Sequence, residues 1–179
     1  MKYLLLSIIG YTFLLFGCST DSREKYIKEI VGSMLTINSD LMLQGSDSEL
    51  YSTEIKKPLK IVIYSDSTNC NACDIRFPMW KIKYKELSLL HDNIGLIFII
   101  NTENISDIEL NINVTKVPGL KLYDTNGDFK KNNHIFNNRA FHVFLLDQDN
   151  KVILVGNPLD NHKLFTLYKE AIKMYTNQK

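Results

Sequence analysis

Two cysteines separated by two residues, Cys70 and Cys73, are the side chains whose type and spacing could do chemistry. At a helix start they would share one face and could close a disulfide with each other. The unsatisfied N–H groups and partial positive charge of a helix N-terminus stabilise a thiolate, which lowers the pKa of a cysteine placed there. Cys70, at the exposed end, is the expected nucleophile and Cys73 the resolving thiol. A loop this short constrains little of an unfolded chain, so the pair suits exchange chemistry better than stapling.

The neighbouring residues supply elements able to position such a pair. Lys60-Ile61-Val62-Ile63-Tyr64 is a β-branched apolar run that predicts a buried strand, and Ser65 to Asn69 reads as a polar turn. A helical pattern is expected from Cys70 through Ile75, Met79, Ile82, Leu87 and Leu90. Pro78 falls inside it, where it would remove one helical hydrogen bond and kink the axis. Strand, turn, Cys-x-x-Cys and a proline five residues beyond the second cysteine resemble the active-site segment of the thioredoxin superfamily. The intervening Asn71-Ala72 matches none of the common dipeptides of thioredoxins, glutaredoxins or disulfide isomerases, so the resemblance implies no particular redox poise.

The start of the chain resembles a bacterial lipoprotein leader. Lys2 is followed by an apolar or small run from Tyr3 to Phe16, short for a bilayer span, and Leu15-Phe16-Gly17-Cys18 is similar to a lipobox. The resemblance implies a signal peptide over 1–17, a lipid on Cys18, a tether over 18–23 and one domain over 24–179. The domain would then lie in the cell envelope, anchored to a membrane, on the periplasmic or surface side. There Cys70 and Cys73 would be its only cysteines, in a compartment where disulfides persist.

The rest of the chain alternates strands and helices. Glu24 to Leu35 has helical spacing, and Thr36-Ile37 and Leu41-Met42-Leu43 flank Asn38-Ser39-Asp40 like a small hairpin. Gly45 to Tyr51 reads as loop. Ile94 to Ile100 is a continuous apolar strand, Asn104 to Asn111 a helix, Val117 to Tyr123 a strand and Asp124 to Asn132 a helix. Phe141 to Leu146 and Lys151 to Gly156 form a hairpin across Asp147-Gln148-Asp149-Asn150, and a final helix starts at Pro158 or Asn161. An α/β layer structure follows. The last hairpin and helix resemble the end of TlpA-type thioredoxins and their peroxiredoxin relatives, and Val117 to Asn133 resembles their inserted strand and helix. The resemblance implies a three-layer thioredoxin-like fold, a central mixed sheet between helices, with an N-terminal hairpin and that insertion.

It also raises supporting residues. Thioredoxins place a cis-proline against the cysteines; aligning by the last hairpin puts Phe141 there, with His142 beside it, and leaves Pro118 in the inserted strand. The buried acid common in thioredoxins falls on Tyr64. Asp66, in the turn, is a candidate proton acceptor or simply a turn-stabilising aspartate.

Other classes find little support. Lys and Arg total 21 against 20 for Asp and Glu, which gives no electrostatic case for nucleic acid. His91, His134, His142 and His162 are scattered, so no metal site is expected, and no histidine follows Cys73 as haem attachment would need. No cofactor is expected. The sequence therefore points to an envelope-anchored thiol-disulfide oxidoreductase acting on a protein thiol or disulfide partner. The alternative is a non-catalytic thioredoxin-fold lipoprotein that binds protein or peptide or senses redox state.

Overall fold

The structure, a computed structural model, describes residues 21–41, 48–66 and 75–176. Five strands, β1 (Leu59–Ser65), β2 (Ile94–Ile100), β3 (Leu120–Tyr123), β4 (Val143–Leu146) and β5 (Val152–Val155), form one sheet in the order β3-β2-β1-β4-β5. β1, β2 and β3 run parallel, while β4 pairs antiparallel with both β1 and β5. The sheet is therefore mixed, with β1 at its centre.

Alternate side chains of each strand serve opposite faces, and each face has its own core. On one face Ile61, Ile63, Leu96, Phe98 and Leu145 pack with Trp80 and Leu87 of α3 (Phe77–Ser88), Ile108 of α4 (Ile105–Thr115), and Phe165, Tyr168 and Ile172 of α6 (His162–Thr176). On the other, Val62, Tyr64, Ile97, Ile99 and Phe144 pack with Tyr26 and Ile30 of α1 (Ser22–Ile30), with Leu35 and Ile37, and with Phe129 of α5 (Asp128–Asn132). Three layers result. β1 and β2 are buried along their whole length, as near-continuous apolar runs covered on both faces must be.

Several helix ends follow from local polar side chains. Asn161 Oδ1 accepts from Leu164 N–H at 3.0 Å and caps α6, and both Asp124 carboxylate oxygens accept from α5, from Asp128 N–H at 2.8 Å and Phe129 N–H at 2.9 Å. The β4–β5 turn is closed by Asp147 Oδ1, which accepts from the N–H groups of Asp149 and Lys151 at 2.9 Å.

Four sequence expectations are corrected. The first helix spans Ser22–Ile30, so it starts two residues before the expected Glu24, with Asp21 accepting from Arg23 N–H as its cap. Gly32, at φ +90°, then turns the chain, and residues up to Leu35 run beside β5 instead of continuing the helix. The expected N-terminal hairpin is not formed by its described residues. Leu41 lies in a 3-10 turn over Ser39–Leu41, and Leu35 and Ile37 alternate because they fill the second core. Met42 and Leu43 lie outside the described residues. Part of the expected loop up to Tyr51 is instead the start of α2 (Ser48–Ile55), whose buried Glu54 accepts from Leu96 N–H at 3.0 Å. Finally, the helix bearing Pro78 is broken at Arg76, which adopts φ 56°, ψ 53°. Pro78 sits in the first turn of α3, where its missing N–H leaves no intrahelical bond unmade, so it starts the helix and does not kink it.

Candidate functional site

Where parallel strands end, loops converge, and such carboxyl ends are where open α/β sheets place their sites. β1 runs through Tyr64 and Ser65 to Asp66, and the described chain resumes at Ile75, buried at 3% exposure against the first core. Cys70 and Cys73 fall between these two points in sequence and lie outside the described residues, as does Cys18. Around the two ends, Ser65, Asp66, Ile75, Trp80, His142 and Asn157 line a small cleft of about 50 Å³.

Each wall of the cleft has an evident cause. Tyr64 N–H donates to His142 O at 2.8 Å, extending the β1–β4 pairing by one step and setting His142 beside the end of β1. The His142 ring lies edge-on to Tyr64 at 5.2 Å and donates through Nε2 to Phe136 O at 2.8 Å. With 3% of its surface exposed, His142 is held below the ordinary histidine pKa by burial. The Phe136 carbonyl and Asp66 oppose that shift, and Lys130 and Arg139 reinforce it. Burial likewise pushes the Tyr64 hydroxyl up to about 12, so it remains protonated at neutral pH. Tyr64 therefore supplies no base to the cleft.

Asp66 is the carboxylate of the cleft. Its Oδ2 accepts from Lys130 Nζ of α5 at 3.1 Å, with only 9% of the Asp66 side chain exposed. Arg76 closes the far side of the break before α3 by a two-pronged pair with Asp160, at 2.6 and 2.7 Å. This fork ties the residue after Ile75 to the loop preceding α6.

Of the residues singled out in the sequence, Asp66 and His142 meet at the cleft. Phe141 does not line it; its ring packs with Tyr26 and Phe136 at centroid distances of 5.8 Å. Pro118 precedes β3, two strands from β1, and is exposed. The segment before β4 is therefore the one beside β1, as alignment by the last hairpin expects, and the described peptide bonds are all trans. Sequence reasoning missed Lys130, Arg139 and Arg76. Lys130 is 64 positions from Asp66, and no spacing rule links them. Among the described residues no group of three or more metal-ligating side chains occurs, and no helix is long and apolar enough to cross a membrane.

No protein-family model and no curated protein matches the chain. Solved structures do. A thiol:disulfide interchange protein from Bacteroides sp. superposes with a TM-score of 0.50 at 13% identity, over 67% of this chain and 76% of that one. Peroxidoxin BcpB from Mycobacterium tuberculosis gives a TM-score of 0.52 at 15% identity, over 68% of this chain and 84% of that one. Identities this low speak to architecture alone. Parallel β1 and β2, the antiparallel β4–β5 hairpin, helices on both faces and these two superpositions together establish that the chain has a thioredoxin-like fold.

Proposed function

We propose that the chain is a thiol-disulfide oxidoreductase of the cell envelope, with Cys70 as nucleophile, Cys73 as resolving thiol and a lipid on Cys18 as anchor. The observation that carries the reading is the position of the Cys-x-x-Cys in the chain. It follows the carboxyl end of the central strand of a thioredoxin-like sheet, between Asp66 and Ile75, two residues that line one cleft.

In the reducing direction, the Cys70 thiolate attacks one sulfur of a partner disulfide. A mixed disulfide forms, and the partner's other sulfur leaves as a thiolate. The Cys73 thiol then loses its proton and attacks Cys70 Sγ, which breaks the mixed disulfide and releases the second partner thiol. Two electrons have passed from the Cys70–Cys73 dithiol to the partner, and the reverse sequence oxidises it. Asp66, held by Lys130, is the group proposed to accept the Cys73 proton; neutral His142, bound to the Phe136 carbonyl, gives that carboxylate a polar but uncharged neighbour. Arg76, pinned to Asp160, fixes the described chain three residues beyond Cys73 in sequence.

Insulin reduction by the domain, with dithiothreitol as reductant, tests the reading. Cys70→Ser should abolish turnover, and Cys73→Ser should trap a mixed disulfide. Wild-type protein that neither reduces insulin nor oxidises a reduced peptide would sink it. The second reading, a non-catalytic module that binds protein or peptide or senses redox state, is favoured by Tyr64 and Phe141-His142, which replace the acid and the proline of thioredoxins.

A further inference from the structure

The direction of α1 decides at which end of the domain the segment before it enters. β5 runs in the direction of β1, since each pairs antiparallel with β4, so its first residues lie at the end of the sheet remote from the cleft. The chain just after α1 is bonded there: Gly32 N–H donates to Val152 O and Val152 N–H donates to Ser33 O, both at 2.8 Å, and Leu35 N–H donates to Asn150 O at 2.9 Å. Toward its first residues α1 reaches the cleft end. The Tyr26 ring stacks on Phe136 at 5.1 Å, and the Phe136 carbonyl binds His142, which lines the cleft. Ile27 lines a groove together with Arg139, and Arg139 also lines the cleft. Ser22 stands one helical turn further out than Tyr26, and residues 21–25 are all exposed, so α1 begins at the surface of the end that carries the cleft.

We propose that the lipid on Cys18 holds this end of the domain against the bilayer, so that the partner is a protein disulfide or dithiol carried at the membrane surface. The inference rests on the anchor and the oxidoreductase reading proposed above. Residues 19–21 alone separate Cys18 from α1. Four Cα steps span at most about 14 Å, whatever path the chain takes. The turn of α1 from Ser22 to Tyr26 adds about 6 Å, and the ring contact and hydrogen bond that lead on to His142 bring the cleft within about 30 Å of the lipid attachment. The other end of β1 lies roughly 20 Å further along the sheet and faces outward. A tether of about 14 Å opens a gap less than half the roughly 30 Å diameter of a small domain. A folded protein free in solution is therefore too large for that gap, whereas a disulfide on a loop of a membrane-bound protein already lies within it.

The full chain, expressed in a bacterial host, purified with its lipid and reconstituted in phosphatidylcholine vesicles, tests this. With Cys70→Ser and Cys73→Ser in place, a fluorophore is attached at Lys163→Cys, beside Arg76 and Asp160 at the cleft end, or at Asp149→Cys, in the β4–β5 turn at the other end. Energy transfer to a headgroup acceptor should be at least about twofold greater from position 163 than from position 149. A Gly-Ser insertion of about 30 residues after Ser19, with a root-mean-square span of about 30 Å, should bring the two to equality. With Cys70 and Cys73 restored, the same insertion should raise insulin turnover on vesicles by about threefold or more. Equal transfer from the two positions without the insertion, greater transfer from position 149, insulin turnover on vesicles indifferent to the insertion, or a mass that shows no lipid on Cys18 overturns the inference. Insulin left unreduced by both proteins in detergent sinks the oxidoreductase reading, and with it the disulfide partner, while the transfer ratio, which needs no thiol chemistry, still decides the orientation.

Discussion

Removing the lysine that holds the cleft carboxylate should cost measurable stability. Lys130→Met keeps the length of the side chain and deletes the 3.1 Å charge-assisted bond to Asp66, whose side chain is 9% exposed. Hydrogen bonds to charged groups contribute roughly 1.5–3 kcal/mol. Lys130 retains 27% of its side-chain surface, and solvent screens the pair accordingly. The low end, about 1.5 kcal/mol, is therefore expected. For a domain of this size, such a loss lowers the melting temperature by about 3–6 °C. Urea unfolding of the wild type, Lys130→Met, Asp66→Asn and the double variant closes a thermodynamic cycle. The coupling energy should be about 1 kcal/mol, well outside the roughly 0.3–0.5 kcal/mol within which independent sites add. Additivity within that margin would refute the claim that this pair organises the cleft.

His142 gives a pH dependence with a definite sign. Its folded pKa lies below its unfolded value because burial disfavours the charged ring, so the unfolded state binds more protons at mildly acid pH. Its contribution to stability is then complete above about 6.5 and is lost as pH falls through the lower folded pKa; urea midpoints should drop on acidification, and His142→Asn should flatten that drop. Gly119 has φ +93°, and an added Cβ would stand 2.3 Å from Leu96 O, so Gly119→Ala should cost more than about 2 kcal/mol or prevent soluble expression. Arg76→Gly should be nearly neutral in thermal melts, since it relieves left-handed strain of about 1–2 kcal/mol and loses an ion pair whose Asp160 partner is 70% exposed. Trp80→Ala, which empties a site with 1% exposure beneath the cleft, should cost about 3–5 kcal/mol in denaturant unfolding.

Elements whose cause is local were legible in the sequence. The apolar run of Ile94–Ile100, the Asp147–Asn150 turn and the periodicity of α6 each carry their own signal, and each matches the structure. Elements whose cause is tertiary were not. Leu35 and Ile37 alternate like strand residues because they fill a core, not because a second strand pairs with them. The α2 helix has only two partly buried apolar side chains, Tyr51 and Ile55, against the core, and is fixed through Glu54 to the backbone of β2, a bond no pattern announces. The break at Arg76 has no glycine or asparagine to mark it, and the partner of its fork, Asp160, lies 84 residues away. At the cleft, Asp66 was visible as a turn acid and His142 by alignment of the last hairpin, whereas Lys130 depends on the fold bringing α5 to the end of β1.

The most direct test of the central claim is a redox titration of residues 19–179 across glutathione buffers, with free thiols trapped by alkylation and counted by mass. The proposed chemistry predicts a reversible two-electron transition of Cys70 and Cys73 with a midpoint between roughly −120 and −270 mV, the span of thioredoxin-fold catalysts. Cysteines that stay reduced throughout, or a disulfide that the buffers cannot reduce, would contradict it.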